Sequence, residues 1–228
     1  MLISIIIPTL DEATTIGATL GALGSLRGAL EVIVVDGGSR DGTCEIARAA
    51  CARVVTSARG RGAQLNAGAC VARGDALWFL HADTLPPVAA VERITAALAR
   101  DARTVGGNFT LRFAGTEPAA RFLTWLYPRL RRLGLAYGDS GFFVRRAVYE
   151  QTGGFQPFPI FEDLDLLRRL RRRGPFVHLD AELVTSARRF AGRSFALTFA
   201  RWSVLQGLYW LGVHPRTLAR LYAPVRGE

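Results

Sequence analysis

Carboxylates occur in this 228-residue sequence at places where catalytic acids and bases are commonly found. Asp36 and Asp83 each end an apolar run that is typical of a buried strand, and Glu162 and Asp163 open a predicted helix. Buried parallel strands present polar residues at their carboxyl ends, where ligands bind in open α/β sheets. We therefore expect Asp36 and Asp83 to meet at one edge of a sheet, provided that both strands are parallel.

An arginine-rich turn follows the predicted third strand. Arg59-Gly60-Arg61-Gly62 precedes a helix that carries Gln64 and Asn66. At such a helix N-terminus the backbone N–H groups, the helix dipole and guanidinium groups can all face a phosphate, although a turn with solvated arginines is the other interpretation. Together with the two strand-end aspartates, this turn outlines a nucleoside diphosphate site. A departing diphosphate gathers charge that a divalent cation neutralises, so we predict Mn2+ or Mg2+ as cofactor.

Both groups of carboxylates also have a purely structural explanation. Asp83 could cap a helix that begins near Pro86-Pro87, because aspartate is a favoured N-cap and proline a favoured first helical residue. The helix after Phe161 holds three acids in its first turn and five arginines towards its end, a pattern that complements the helix dipole. The residues alone leave these alternatives open.

The elements that must position these residues alternate between strand and helix. This alternation predicts an α/β fold with a mainly parallel, Rossmann-like sheet and helices on both faces. Thr9 to Glu12 fits a capping box for a first helix that extends to about Leu26. A glycine-rich turn at residues 137–141 then feeds another buried strand. The other predicted strands cover about residues 2–7, 31–36, 53–56, 75–83 and 105–113, and the other predicted helices about residues 43–50, 63–72, 88–100 and 118–133.

The amino-acid composition limits which catalytic groups and which binding partners the protein can have. The net charge of +10 comes from arginine, and the absence of lysine excludes a P-loop lysine, a Schiff-base lysine and a lysine general base. The arginine excess after residue 120 is compatible with nucleic acid, anionic lipid, a phosphorylated substrate or an arginine-rich genome. The three cysteines lack metal-site spacing, and Cys44 and Cys51, seven apart, are expected to be small buried residues.

The two ends of the chain bear on its location. The N-terminus lacks the basic leader and cleavage site of a signal peptide, and no apolar run reaches about 18 residues, so we expect a cytoplasmic protein. The tail from Ser194 to Tyr222 predicts two helices, divided at Gly212 and His214-Pro215, with an apolar face. That face could cover the core, form a homodimer, or make peripheral contact with the inner membrane surface.

Several ordered motifs resemble those of family 2 glycosyltransferases, inverting enzymes of the GT-A fold that use nucleotide-diphospho-sugars. Motifs in a fixed order are far more specific than any single motif. The full set is similar to a compact bacterial subfamily whose acceptors are poorly defined. The resemblance spans about residues 1–185 and lies in residues 4–12, 34–43, 59–68, 74–84, 138–141 and 162–163.

The resemblance implies a role for each matching residue. The resemblance implies that Asp36 binds the nucleoside part of the sugar donor and that Asp83 binds the metal. Asp163, with Glu162 beside it, is implied to be the catalytic base. His81 replaces the first aspartate of the Asp-x-Asp metal motif. The implied nucleotide-sugar contacts are Pro8, Thr9, Asp11, Glu12, Asp36, Gly38, Arg59, Gly62, Gln64, Asn66, His81, Ala82 and Asp83. The implied acceptor or phosphate contacts are Gly138, Asp139, Ser140, Gly141, Arg188 and Arg189.

Two further departures from the family pattern matter. Gly37 stands where the family usually has a second aspartate after Asp36, which affects how the nucleoside is held. Residues 186–190 fall where processive relatives carry a Gln-x-x-Arg-Trp motif, and only the arginine-aromatic pair matches. The resemblance therefore implies a non-processive enzyme.

The expected function is metal-dependent, inverting, non-processive transfer of a sugar from a nucleotide-diphospho-sugar to a hydroxyl acceptor, which could be lipid-linked. Residues 1–104 are expected to form the nucleotide-sugar-binding half of a catalytic domain that ends near residue 190. Residues 105–190 would form the acceptor half, and residues 191–228 a helical extension packed on the same domain. No nucleic acid partner is expected.

Three other classes of protein fit less well. A sugar-nucleotide-forming nucleotidyltransferase should carry a glycine-rich phosphate loop directly after the first strand, where this chain has Pro8 to Glu12. A dinucleotide-dependent oxidoreductase should carry a complete Gly-x-Gly-x-x-Gly motif, which Gly60-Arg61-Gly62 does not supply. A basic RNA- or lipid-surface-binding module explains the arginines but not the three aspartates.

Overall fold

The computed structural model describes residues 1–132, 135–186 and 194–221. Within these ranges the strands are β1 (Ile3–Thr9), β2 (Leu30–Asp36), β3 (Arg53–Thr56), β4 (Ala76–Phe79), β5 (Thr84–Leu85), β6 (Gly106–Ala114), β7 (Phe143–Arg145) and β8 (Phe176–Ser186). They form one sheet in the order β3-β2-β1-β4-β7-β6-β8-β5. Neighbouring strands are parallel from β3 to β4 and in the β6–β8 pair, and antiparallel in the other pairs. The predicted α/β fold with a mainly parallel sheet is confirmed.

Helices cover both faces of this sheet. The described helices are α1 (Ile16–Gly24), α2 (Thr43–Ala49), α3 (Arg61–Val71), α4 (Ala90–Arg100), α5 (Pro118–Arg132), α6 (Arg146–Thr152), α7 (Glu162–Arg171), α8 (Phe195–Trp210) and α9 (Pro215–Ala219). A single 3-10 turn, Gly138–Ser140, precedes β7. None of the helices in the described ranges has the length and hydropathy needed to cross a bilayer.

Uninterrupted apolar runs explain why the first half of the sheet is parallel and buried. Ile5 and Ile7 of β1 belong to one apolar cluster and Ile6 to another, and all three are fully buried. Because successive side chains of a strand point to opposite faces, these clusters lie on the two sides of the sheet. A strand covered by helices on both sides needs apolar residues at every position, as the sequence predicted.

The predicted capping box at Thr9 is wrong. β1 continues through Thr9, which pairs with Asp36 of β2, and α1 begins only at Ile16. Asp11 has a φ of +53°, a left-handed conformation that cannot continue a right-handed helix. Pairing with β2 and this left-handed turn therefore override the local capping signal.

The interpretation of Asp83 as a helix cap is also wrong. α4 begins at Ala90, with Ala89 at its N-cap position. Asp83 instead precedes β5, which pairs with β8 on the far side of the sheet.

The expectation that Cys51 is buried is also wrong. Cys51 is exposed and follows the end of α2 with a φ of +58°.

The helical tail packs partly on the core and partly faces outward. Leu205 of α8 and Leu218 of α9 form a buried cluster with Ile160, Phe161 and Leu164 at the start of α7. Other apolar residues of α8 remain largely exposed, among them Leu197 and Val204. The tail therefore covers the region around the predicted catalytic acids.

Candidate active site

The loops after β1 and β2 are joined by hydrogen bonds centred on Asp36. Its carboxylate accepts the backbone N–H groups of Gly38 and Ser39, both at 2.9 Å, and the Ser39 hydroxyl at 2.5 Å. The Thr9 hydroxyl lies 3.3 Å from the same carboxylate. Burial alone would raise the pKa of Asp36, but the hydrogen bonds from Ser39 and Gly38 outweigh it and hold the pKa below its usual value. A direct bond from Asp36 to a nucleoside would replace one of these contacts.

A second set of hydrogen bonds joins the same two loops. The Asp11 N–H donates to the Ser39 hydroxyl at 2.9 Å, and the Asp11 carboxylate accepts the Arg40 N–H at 2.8 Å. The Glu12 N–H donates to the Thr43 hydroxyl at 2.8 Å. Asp11 and Glu12 were both predicted to contact the nucleotide-sugar. They belong to a double loop at the carboxyl ends of β1 and β2 that is already held together by its own hydrogen bonds.

Gln64 holds the ends of β1 and β2 together from the side of α3. Its amide group donates to the carbonyl oxygens of Thr9 at 2.7 Å and Val35 at 2.8 Å. Pro8, another predicted contact, pairs with Val35 inside the sheet. A Cβ atom at Gly37 would lie 3.1 Å from the Gln64 amide. The Gln64 side chain therefore packs directly against the position where the family usually has a second aspartate.

Asn66 and Gly62 support the segment that leads into the later half of the site. The Asn66 amide oxygen accepts the Tyr149 hydroxyl at 2.5 Å and the Phe155 N–H at 2.9 Å, and its NH2 group donates to the Phe155 carbonyl at 2.9 Å. A Cβ atom at Gly62 would lie 3.1 Å from the Gln156 carbonyl oxygen. Both residues were predicted to contact the sugar donor. In the structure Asn66 binds the backbone of Phe155, and Gly62 allows the backbone of Gln156 to come close.

Arg61 connects the end of β4 with the start of α7. Its guanidinium lies 3.2 Å from a Glu162 carboxylate oxygen and 3.0 Å from His81 Nε2. Since a guanidinium has only donors, His81 Nε2 is the acceptor in this contact. Arg59, the arginine expected to contact the donor, is exposed in the turn before α3. Arg61 was missing from the expected contacts, although its place as the first residue of a helix after a glycine could have identified it.

Asp163 is buried in the first turn of α7 and is held by backbone groups. One carboxylate oxygen accepts the Gly138 N–H at 2.6 Å, and the other accepts the Leu164 N–H at 2.8 Å. A Cβ atom at position 138 would lie 2.3 Å from Arg61 Nη2 and 3.0 Å from an Asp163 carboxylate oxygen, so any other residue here would displace these side chains. Each Asp163 oxygen keeps lone-pair capacity for a ligand.

The three acids of α7 have different partners. Asp165 forms ion pairs with Arg168 at 3.2 Å and Arg169 at 2.7 Å on its own helix. Glu162 instead pairs with Arg61 from α3, and Asp163 binds backbone N–H groups. The helix-dipole explanation applies to all three acids, which lie in the first turn of α7, but Glu162 and Asp163 also contact residues outside this helix.

The turn from Gly138 to Gly141 forms the floor beside Asp163. The Ser140 hydroxyl accepts the Asn108 side-chain amide at 2.8 Å and donates to the Tyr137 carbonyl at 2.5 Å. Gly141 has a φ of +66°, a conformation that favours glycine. Ser140 and Gly141, predicted acceptor contacts, thus fix the turn that presents the Gly138 N–H to the Asp163 carboxylate.

Two tyrosines extend this turn towards the helices. The Tyr127 hydroxyl of α5 donates to the Asp139 carboxylate at 3.2 Å, and the Tyr137 hydroxyl donates to the Gln206 amide oxygen of α8 at 2.8 Å. Burial raises the pKa of the Tyr137 hydroxyl, and this effect outweighs the hydrogen bond to Gln206. Tyr137 therefore remains a protonated donor and ties the tail to the site.

A cavity of about 400 Å³ opens next to Asp163, between α5 and α8. The predicted catalytic acids lie in its wall, whereas Thr9, Asp36 and Asp83 do not. Its lining residues are Arg61, His81, Leu123, Tyr127, Leu130, Leu135, Tyr137, Asp139, Pro159, Ile160, Phe161, Glu162, Asp163, Phe199, Trp202, Ser203, Gln206 and Trp210. The site thus has a polar strand edge on one side and a largely apolar cavity on the other.

Asp36 and Asp83 emerge at the same edge of the sheet, as predicted, because β2, β1 and β4 are neighbouring parallel strands. The Ala82 carbonyl accepts the Thr19 hydroxyl at 2.8 Å, which fixes the turn before Asp83. In the described part of the chain, no three His, Cys, Asp or Glu side chains are grouped to hold a metal. Mg2+ commonly binds one or two carboxylates and completes its shell with substrate phosphates, so a single carboxylate fits a diphosphate-dependent site.

Arg188 and Arg189, the remaining predicted phosphate contacts, lie outside the described residues.

The sheet order, the doubled loop after β1 and β2, and the strand-end aspartates define a nucleotide-sugar-type α/β fold, the GT-A fold. The family model described as "Glycosyl transferase family 2" matches residues 4–153. The chain belongs to the family 2 glycosyltransferases.

Similar proteins agree with this assignment. The chain is 26% identical over 208 residues to the "Probable glycosyltransferase YdaM" of Bacillus subtilis (strain 168), covering 80% of this chain and 50% of that protein. This chain therefore spans half the length of that relative. Glucosyl-3-phosphoglycerate synthase from Mycobacterium tuberculosis, solved with Mn2+, UDP and glucosyl-3-phosphoglycerate, superimposes with a TM-score of 0.67 at 23% identity over 93% of this chain and 81% of its own. Mannosyltransferase PcManGT from Pyrobaculum calidifontis, solved with GDP-Man and Mn2+, superimposes with a TM-score of 0.68 at 20% identity. The match covers 90% of this chain and 61% of the mannosyltransferase.

Proposed function

We propose that this protein catalyses metal-dependent, inverting and non-processive transfer of a sugar from a nucleotide-diphospho-sugar to a hydroxyl group of an acceptor. One observation carries the proposal. The Asp163 carboxylate is fixed by two backbone N–H groups in the wall of a cavity whose lining also includes Arg61 and His81, but not Asp36 or Asp83. A base in this position can act on an acceptor while the strand ends hold the donor.

The donor binds along the carboxyl ends of β1, β2 and β4. The double loop formed by residues 8–12 and 36–43 is already ordered by its own hydrogen bonds, so little conformational entropy is lost when the nucleoside binds there. Asp36 acts chiefly by shaping this loop. Arg61 supplies a guanidinium for the diphosphate between His81 and Glu162.

Asp83 holds a divalent cation together with the diphosphate of the donor. Manganese accompanies UDP in the Mycobacterium tuberculosis synthase and GDP-Man in the Pyrobaculum calidifontis mannosyltransferase. Such a cation supplies neutralisation of the charge that develops on a leaving diphosphate. His81 Nε2 accepts a hydrogen bond from Arg61, so His81 orients the arginine and leaves the cation to Asp83.

Asp163 takes the proton from the acceptor hydroxyl. The acceptor oxygen forms a bond to the anomeric carbon, the bond between that carbon and the diphosphate oxygen breaks, and the nucleoside diphosphate leaves with the bonding electrons. Attack from the face opposite the leaving group inverts the anomeric centre. Glu162 keeps Arg61 in place through its ion pair and is a positioning residue.

The proposal is tested by a donor screen. Thermal unfolding is followed with uridine, guanosine and thymidine diphospho-sugars, each with and without Mn2+, because a ligand that binds only the folded state raises the midpoint. At least one donor is expected to raise the midpoint more with Mn2+ than without it. The Asp83→Ala variant should lose that manganese-dependent increment.

Asp75→Ala is the matched control, since Asp75 precedes the opposite end of the same strand and is exposed. It should retain the manganese-dependent increment. Product analysis separates the rival function, because glycosyl transfer releases nucleoside diphosphate whereas a nucleotidyltransferase exchanges pyrophosphate. Absence of any donor-dependent shift, or an Asp83→Ala response equal to that of Asp75→Ala, would reject the proposal.

A further inference from the structure

We propose that the acceptor is an amphipathic alcohol whose apolar body lies in the cavity between α5 and α8, with its hydroxyl at Asp163. This inference rests on the proposed function and deepens it by naming the class of acceptor. It assigns a binding role to α5 and to the apolar face of α8.

The polarity of the cavity changes from one end to the other. Its ionisable carboxylates and basic groups, Arg61, Asp139, Glu162 and Asp163 with His81, come from the strand edge and the adjoining turns. The walls contributed by the two helices are mainly apolar or aromatic. They consist of Leu123, Tyr127 and Leu130 from α5, and Phe199, Trp202, Ser203, Gln206 and Trp210 from α8. A ligand that matches both ends has a polar head and an apolar body.

The two apolar walls are held in place by contacts between α5 and α8. The Phe122 ring packs edge-on against both Phe195 and Phe199, with ring centroids 5.7 Å apart in each pair. The Tyr137–Gln206 hydrogen bond fixes α8 from the side of the site. The cavity is therefore formed before the acceptor binds, which limits the conformational entropy lost on binding.

The apolar surface continues beyond the cavity. Trp210, which lines the cavity, is 59% exposed, and Trp125 of α5 is 52% exposed. The guanidinium of Arg129 lies 3.9 Å from the centroid of the Trp125 ring. An acceptor body that is longer than the cavity can therefore follow aromatic surface outward.

A highly polar acceptor fits this site poorly. A sugar or glycerate body placed between Leu130 and Phe199 would lose water without gaining hydrogen bonds from these two side chains. An apolar body gains from the same transfer, with each buried methylene group increasing affinity by about fourfold. Size also agrees, because about 400 Å³ is within the range of small-molecule pockets.

The test uses straight-chain primary alcohols from ethanol to decanol as acceptors, with the donor found in the screen and Mn2+. For the wild-type protein, kcat/KM for transfer should rise by about fourfold per methylene until the cavity is filled. Binding of 1-decanol in the absence of donor is measured separately by the change in tryptophan fluorescence. A flat dependence on chain length, together with no binding of 1-decanol, overturns the inference.

A pair of adjacent substitutions localises the effect. Ser203 is exposed and lines the cavity, whereas Val204, its exposed neighbour on α8, does not. Ser203→Trp should fill the cavity and reduce decanol binding and transfer at least about tenfold, while Val204→Trp should behave as wild type. Equal behaviour of the two variants contradicts the inference. Both should keep the donor-dependent thermal shift, because Ser203 and Val204 belong to α8 and the loops after β1 and β2 that hold the nucleoside are unchanged.

The outcomes separate this inference from the proposed function. Decanol binding that is lost in Ser203→Trp, in a protein that binds no nucleotide-sugar, supports the apolar site and rejects the proposed transfer. Donor binding and donor hydrolysis without decanol binding support the proposed transfer and reject the apolar acceptor.

Discussion

Asp36 and Asp163 are both buried aspartates at the mouth of the site, with 4% and 8% of their surfaces exposed, yet their surroundings differ. The Asp36 carboxylate receives hydrogen bonds from three groups of Gly38 and Ser39 and a long one from Thr9. The Asp163 carboxylate receives two backbone N–H groups and faces a cavity. The first carboxylate organises the chain, and the second is placed to act on a ligand.

Under the proposed function, this difference means that burial and position after a strand do not identify a catalytic acid. A carboxylate has about four lone-pair directions, and the chain itself uses them at Asp36. At Asp163 the chain uses two, and it places Gly138 and Arg61 close by without filling the remaining space. Remaining hydrogen-bonding capacity towards a cavity is therefore the more informative criterion.

The largest effect is expected from Asp163→Asn. The amide cannot take the acceptor proton, so kcat for transfer should fall by about a thousandfold. The thermal midpoint should fall as well, because the two backbone N–H groups bond different carboxylate oxygens and the amide NH2 group must face one of them, so turnover is measured well below that midpoint. Transfer is measured as release of nucleoside diphosphate. Retention of a tenth or more of wild-type kcat would remove Asp163 from the role of base.

An intermediate effect is expected from Gly138→Ala. The new methyl group would lie 2.3 Å from Arg61 Nη2 and 3.0 Å from an Asp163 oxygen, so both side chains must shift. A displacement of this size should lower kcat by about tenfold to a hundredfold.

Gly21→Ala is the control for this prediction, since a Cβ atom at that position meets nothing within 4 Å. It should leave kcat unchanged. If Gly138→Ala matches Gly21→Ala in kcat, the close approach at Gly138 has no catalytic importance.

The smallest effect on catalysis, and a clear effect on stability, is expected from Asp36→Asn. The amide oxygen can still accept the N–H groups of Gly38 and Ser39, which bond one carboxylate oxygen, but the loss of the negative charge weakens these bonds and the bond from the Ser39 hydroxyl, so the free energy of unfolding at pH 7 should fall by about 1–3 kcal/mol. Chemical denaturation measures this change, with the exposed Asp180→Asn as control. If Asp36→Asn and Asp180→Asn lose the same free energy of unfolding, the structural role of Asp36 is contradicted.

The pH dependence of the stability difference between wild type and Asp36→Asn gives an independent check of the role of Asp36. The pKa of Asp36 is lower in the folded protein than its usual value of about 3.9. Its stabilising contribution is therefore present above pH 3.9 and is lost as the pH falls through that value towards the folded pKa. The stability difference between wild type and Asp36→Asn should shrink below about pH 4.

Six strands, β1 to β4, β6 and β7, were predictable because apolar runs with β-branched residues report burial directly, whereas β5 and β8 were not predicted. The start of α1 was not, because pairing of Thr9 with Asp36 and the left-handed turn at Asp11 depend on a neighbouring strand. For the same reason the sequence suggested a cap at Asp83, where β5 pairs with a strand about a hundred residues away along the chain.

Within the site, motif residues were located more readily than their roles could be assigned. Gln64 and Asn66 belong to a conspicuous motif, yet their side chains bind backbone groups. Arg61 lay in the predicted arginine-glycine turn but was not among the expected contacts, and the cavity between α5 and α8 was missed because it depends on packing between distant helices that no local pattern records. The identity of side chains is local, but remaining hydrogen-bonding capacity is a property of the folded structure.

Calorimetric titration of the donor with Mn2+ into Asp163→Asn and Asp83→Ala tests the central claim most directly. The claim is that donor and acceptor chemistry are separated between the strand edge and the start of α7. Asp163→Asn should bind the donor with wild-type affinity while its turnover is lost, and Asp83→Ala should bind it far more weakly. Equal loss of donor binding in both variants would contradict this division.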